Sequence, residues 1–67
     1  MTIGNNIKKY REDKRYTRKE FAELIDRSYN TLWCYECDIS IPGAYILLKM
    51  ATVLNISIID ILKGTRE

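Results

Sequence analysis

The sequence predicts an all-α fold, a compact bundle of five short helices forming one domain over residues 1–67, and three observations carry that expectation. Apolar residues recur three and four positions apart, the spacing that gathers them on one face of a helix, and no segment alternates like a strand. Glycine and proline are scarce, three and one in number, and stand at the edges of these patterns. Serine, threonine, asparagine or aspartate stands at most of the ends, where a helix must satisfy unpaired backbone groups.

The elements follow in order. Ile3, Ile7 and Tyr10, with Lys14 one turn on, fit one face of a helix ending near Arg15. Thr17-Arg-Lys-Glu20 is a capping box, in which the threonine oxygen accepts from a free backbone amide and the glutamate reaches back. It opens a short second helix with Phe21, Ala22 and Ile25 inward. Asp26 follows where the chain needs a left-handed turn, a conformation aspartate tolerates better than most residues. Ser28 caps a third helix that buries Leu32 and Tyr35 and leaves Tyr29, Asn30, Trp33, Cys34 and Cys37 pointing elsewhere. Pro42, in the first turn or just before it, introduces a fourth helix with Ile46, Leu47, Met50, Ala51 and Leu54 inward, and Asn55 ends it in the left-handed conformation. Ser57-Ile-Ile-Asp60 starts the fifth, with Ile58, Ile61 and Leu62 inward and Gly64 as its stop.

Composition narrows the function. The 67 residues carry eleven Lys/Arg against nine Asp/Glu, a formal charge of +2, and no histidine. The distribution is uneven: residues 1–19 hold seven basic and two acidic side chains, a balance of +5, and the remaining 48 hold a balance of −3. An anionic partner for the N-terminal part is the expectation. No stretch is long and apolar enough to cross a bilayer and no signal-peptide pattern opens the chain, so no membrane partner is expected. Cys34 and Cys37 form a C-x-x-C, but a zinc site takes about four ligands and the chain has neither histidine nor a third cysteine. No metal, cofactor or small-molecule ligand is therefore expected. Two unpaired thiols without an export signal point to the reducing cytoplasm. No triad or paired catalytic carboxylates can be assembled, which argues against an enzyme.

The stretch Thr17-Arg-Lys-Glu-Phe-Ala-Glu-Leu-Ile-Asp-Arg-Ser-Tyr-Asn-Thr-Leu-Trp-Cys-Tyr-Glu36 resembles the helix-turn-helix of the phage repressor and Cro-like (XRE-like) DNA-binding family, with the motif at about 17–37. Thr17, Glu20, Ala22, Ser28, Thr31, Glu36 and Pro42 match the family pattern outright, and Phe21, Ile25, Leu32 and Tyr35 are apolar where it is apolar. The likeness extends over residues 3–62, with Leu47-Leu48-Lys49-Met50-Ala51 and Leu54-Asn55-Ile56-Ser57 resembling the closing segment. It implies a lambda-repressor-like bundle and a sequence-specific transcriptional regulator of the Cro/C1 type, a repressor by expectation. Such a regulator would bind a palindromic operator in double-stranded DNA as a homodimer.

The resemblance also implies roles. The third helix would enter the major groove, with Asn30 the best base reader, since its amide can pair with adenine through one donor and one acceptor. Tyr29 and Trp33, four apart, form an aromatic ledge that could meet thymine methyls and sugars or bury against a partner protein. Cys34 shares their outward face. Arg18, Ser28, Thr31, Lys19 and Arg15 are the expected backbone contacts, and Arg11 with Glu36 matches a buried structural ion pair of the family. The chain also departs from the pattern. Arg18 replaces a phosphate-gripping glutamine, Asp26 a turn glycine, Arg27 an inward-packing apolar residue and Trp33 a small polar one. Cys37-Asp-Ile-Ser-Ile41 replaces a loop often rich in Asn, Gly, Lys and Arg, so weaker phosphate contacts are expected there.

Two alternatives stay open at this level: a protein-interaction module using the Tyr29/Trp33 face, with Asp38 in support, and a thiol-responsive regulator acting through Cys34 and Cys37. For the homodimer, Tyr45, Leu48 and Ile59 are the candidate contacts.

Overall fold

A computed structural model describes residues 2–65; residues 1, 66 and 67 of the expected domain lie outside the described residues. Five helices follow in order: α1 (Ile3–Asp13), α2 (Arg18–Leu24), α3 (Tyr29–Glu36), α4 (Ala44–Leu54) and α5 (Ile58–Leu62), with no strand among the described residues. Helix α1 packs on α3, α4 and α5, α2 on α3, and α4 on α5.

Hydrophobic periodicity decides which faces meet. Ile7, Phe21, Ile25, Leu32, Met50, Leu54 and Ile61 are all fully buried and draw one residue or more from every helix or its cap. Each such side chain contributes about 1.5–3 kcal/mol relative to exposure, so the five elements hold one another rather than standing alone. Tyr16, in the turn before α2, stacks on Phe21 with ring centroids 6.1 Å apart. The fifth helix is less buried than its sequence suggests. Ile61 is fully buried and Ile58 half-buried, but Leu62 is 39% exposed, because the five-residue helix lies too shallow on the bundle to bury both.

The helix ends account for much of the chain's polar sequence. Thr2, Thr17, Ser28 and Ser57 accept backbone N–H bonds at the starts of α1, α2, α3 and α5, and Thr17/Glu20 and Ser57/Asp60 form complete capping boxes. Pro42 lies just before α4, whose N-cap is Gly43. At the C-terminal ends, Arg15, Asp26, Asp38 and Asn55 take left-handed backbone conformations with φ between 56° and 61°. After each of them the next amide bonds back to the last turn: Tyr16 to Arg11 O, Arg27 to Ala22 O, Ile39 to Cys34 O and Ile56 to Ala51 O. This is the Schellman closure usually served by glycine, and here no glycine occupies any of the four positions.

Two tertiary contacts fix α1. Asn6, buried beneath the C-terminus of α5, donates from Nδ2 to Ile61 O at 2.7 Å and Lys63 O at 3.0 Å, and so supplies donors to carbonyls that the end of a helix leaves unpaired. In the same first turn α1 abuts the end of α3. A Cβ on Gly4 would stand 2.5 Å from Tyr35 O and 2.6 Å from Glu36 O, so only glycine permits this approach.

Candidate nucleic-acid interface

Helices α2 and α3 are joined by the tight turn Ile25-Asp26-Arg27-Ser28, closed by the left-handed Asp26. Across it, Lys49 Nζ on α4 lies 2.5 Å from Asp26 Oδ2, which holds the Asp26 carboxyl below its ordinary pKa and raises that of Lys49. The turn keeps its shape without the glycine of the family pattern through the backbone bond from the Arg27 amide to Ala22 O, and an exposed ion pair from a third helix reaches its tip. Arg27, in the apolar position of that pattern, is exposed and donates from Nη1 to Asp26 O at 2.8 Å.

The first turn of α3 projects from the bundle. Ser28 Oγ accepts the Thr31 amide at 3.1 Å and donates to Thr31 Oγ1 at 2.9 Å, so both hydroxyls serve the cap while their second lone pairs remain on the surface. Beyond them Tyr29 and Asn30 are exposed, Trp33 is 39% exposed, and Cys34 is half-buried. Leu32 on the opposite face is fully buried, which orients the helix and leaves Asn30 and the two aromatic rings facing outward together.

Beneath this surface lies a charged knot. Arg11 donates from Nε to Glu36 Oε2 at 2.6 Å, from Nη2 to Oε1 at 3.1 Å, and from Nη1 to Tyr16 O at 2.8 Å. Arg18 donates from Nε to the same Glu36 Oε1 at 2.9 Å. The Glu36 side chain is 1% exposed, Arg11 8% and Arg18 25%. Glu36, with the Tyr29 phenol after it, raises the Arg18 pKa above its ordinary high value. One carboxylate thus gathers the last turn of α1, the start of α2 and the end of α3. Two guanidinium groups share this one buried carboxylate, and the exposed Glu12 carboxylate stands 4.0 Å from Arg11 Nη2. Arg18 has only its Nε tied to Glu36, and the Tyr29 phenol at the start of α3 is its next partner. Lys19 and Arg15 are exposed nearby in sequence, on α2 and in the preceding turn.

Asp38 has a different place from the one its loop suggested. Thr2 Oγ1 donates to its Oδ2 at 2.6 Å and the Gly4 amide to its Oδ1 at 3.0 Å, so it caps α1 from across the fold. The acid that favoured a protein partner is engaged within the fold. Neither this role of Asp38 nor that of Asn6 carries a local signal in the sequence, since their partners lie 34 to 57 positions away.

This arrangement has known counterparts. No protein-family model matches the chain. The master regulator of biofilm formation SinR, solved in complex with DNA, superposes with a TM-score of 0.86 at 32% identity, over 92% of this chain and 100% of that one. The N-terminal DNA-binding domain of SinR from Bacillus subtilis gives 0.85 at 32% identity, over 97% and 96%. This chain belongs to the XRE-like helix-turn-helix family. Among curated relatives, the HTH-type transcriptional regulator ImmR of Bacillus subtilis is 37% identical over the whole of this chain and 52% of its own length. Multiprotein-bridging factor 1 of Candida albicans is 28% identical over 87% of this chain and 38% of its own. The chain therefore spans about half the length, or less, of the curated relatives it matches. As an XRE-like fold it places α2 and α3 as the helix-turn-helix, with the +5 N-terminal segment in α1 and the mouth of α2.

Proposed function

We propose that this chain is a sequence-specific DNA-binding domain of a transcriptional regulator, a repressor that works in the cytoplasm and reads the major groove with α3. The observation that carries the proposal is the exposed first turn of α3, capped by Ser28 and seated on Leu32, in a fold where the Arg11–Glu36–Arg18 knot brings an arginine from the start of α2 onto α3. A helix of this width fits the major groove, and side chains near its N-terminus reach base edges. Asn30 pairs with an adenine edge, Tyr29, Trp33 and Cys34 supply apolar contact, and Arg18, Lys19, Arg15, Ser28 and Thr31 hold the phosphates. Solved SinR bound to DNA supports the reading, since it shares this fold at 32% identity.

The same reading takes the active form as a homodimer on a palindromic site, with half-sites about one helical turn apart. Its support is an open apolar groove of about 340 Å³ lined by Leu24, Tyr45, Leu48, Lys49, Thr52 and Val53. Tyr45, Leu48 and Ile59 are 70%, 58% and 68% exposed.

The test is retention of random-sequence and genomic-fragment DNA at two salt concentrations. Specific retention that falls with salt and is lost in Asn30→Ala supports the proposal. Indifference to DNA under both conditions sinks it.

A further inference from the structure

The DNA-facing surface asks of Cys34 only apolar contact and of Cys37 nothing, which leaves the thiol chemistry of the C-x-x-C unused, and we propose that Cys34 and Cys37 are a modification site: a low-molecular-weight disulfide oxidises them to an intramolecular disulfide that loosens the DNA-contacting end of the fold. The regulatory half of this proposal rests on the DNA-binding reading above. Both thiols are free, Cys37 exposed and Cys34 half-buried. They share the last turn of α3, where Cys37 is the C-cap. Residues three apart on a helix have Cβ atoms about 5–6 Å apart, and a disulfide requires about 3.5–4.5 Å. The pair is close enough to join, but only if this turn moves by about an ångström or more.

Two neighbours make that movement consequential. The ring would enclose Tyr35 and Glu36, and Glu36 is the carboxylate shared by Arg11 and Arg18 at 2.6 and 2.9 Å. Immediately after the ring comes Asp38, which holds Thr2 and the Gly4 amide at the start of α1. Cys34 O also accepts the Ile39 and Ser40 amides at 2.9 and 3.3 Å, closing the same turn. Drawing the sulfurs together pulls at once on the charged knot, on the closure of α3 and on the cap of α1. Arg18 stands at the end of that chain of contacts, on the DNA-facing side.

The chemistry balances without further reactants. The exposed Cys37 loses its proton to solvent and attacks one sulfur of the small disulfide, giving a mixed disulfide and releasing one small thiol. Cys34, its proton likewise lost, then attacks the Cys37 sulfur and expels the second. Two cysteine thiols are oxidised and one disulfide is reduced to two thiols. A strained, exposed disulfide is easily reduced again, which suits a reversible site.

The experiment equilibrates the 67-residue chain with glutathione disulfide or with dithiothreitol. It reads intact mass, thermal unfolding and retention of a DNA fragment selected by the reduced protein. The oxidised chain is expected to be lighter than the reduced one by about two hydrogens and monomeric on a non-reducing gel. It is also expected to unfold at a lower temperature and to bind that fragment at least about tenfold more weakly, with dithiothreitol reversing all of these. Cys37→Ser should bind as the reduced wild type does and ignore the oxidant. A lone glutathione adduct, a disulfide between chains, or a closed ring with unchanged unfolding overturns the proposal. If the reduced protein selects no DNA, the DNA-binding reading falls on that result alone, and mass and unfolding still decide whether the ring forms and loosens the fold.

Discussion

Gly4 and Arg15 are opposite cases of what one residue can impose. Gly4 is required by packing: a methyl group there would meet two backbone carbonyls at 2.5 and 2.6 Å, and backbone cannot swing aside as a side chain can. Gly4→Ala is expected to lower unfolding stability by about 3 kcal/mol, read as a fall in the urea midpoint. Arg15 is a residue the backbone does not want. Its φ is 61° and its side chain is exposed, in a conformation that costs an ordinary L-residue roughly 1–2 kcal/mol. Arg15→Gly should therefore stabilise the fold by about 1 kcal/mol, while Arg15→Ala, keeping a Cβ, should not. On the proposed function the same Arg15→Gly variant loses a phosphate contact and binds DNA more weakly. Strain retained at an exposed arginine is what a binding role would explain. Glu36 is the third residue of this kind. Glu36→Gln removes the close countercharge of Arg11 at an 8%-exposed site and leaves it only the exposed Glu12, 4.0 Å away, and a loss of about 3 kcal/mol is expected by the same urea measurement.

At the scale of elements, the helix ends respond to pH. Glu20 accepts the Thr17 amide in the capping box that opens α2, and that bond with the Thr17 hydroxyl's support holds its carboxyl below its ordinary pKa. Asp26 is lowered by Lys49. A carboxyl whose folded pKa is depressed contributes stability that is present above its unfolded value, about 4. That contribution is lost as pH falls through the lower, folded value. Unfolding stability should decline below about pH 4, with α2 and the turn after it weakening. Lys49, raised by Asp26, gives the mirror case, present below the ordinary lysine value of about 10.4 and lost above the raised one. Glu20→Gln keeps an acceptor for the Thr17 amide but cannot titrate. It should be somewhat less stable than the wild type at neutral pH, where the charged carboxylate contributes, and show a shallower acid decline that brings the two together at low pH; an unchanged acid limb in thermal melts would exclude Glu20 as the titrating group. The five helices themselves were legible because apolar spacing and capping residues are local signals. Leu62 was misplaced for the converse reason: its spacing fits an inward face, but how deeply α5 sinks depends on α1 and α4 beneath it.

For the whole molecule, charge is the property that matters. A formal +2 says little, yet folding ties Arg11 and Arg18 of the basic N-terminal segment to Glu36 on α3. On the proposed function, binding should weaken with a slope of log affinity against log salt of about −0.9 per phosphate engaged, and Arg18→Ala or Lys19→Ala should each reduce that slope by about one contact. Asn30→Ala should instead cost specificity and leave the slope nearly intact. That contrast separates positioning contacts from base reading by titration alone.

The sequence by itself determined the helices, the caps Thr17, Ser28 and Ser57, the left-handed turns at Asp26 and Asn55, and the order of landmarks that resembles the XRE-like family. These depend on interactions within about one turn of chain, so spacing expresses them directly. Only the tertiary structure decided that Asp38 caps α1, that Asn6 holds the end of α5, that Lys49 secures the turn at Asp26, and that Arg18 shares Glu36 with Arg11. Each of these contacts joins residues 18 to 57 positions apart. Polar partners at that range leave no periodic trace, because it is burial of the apolar faces that brings them together.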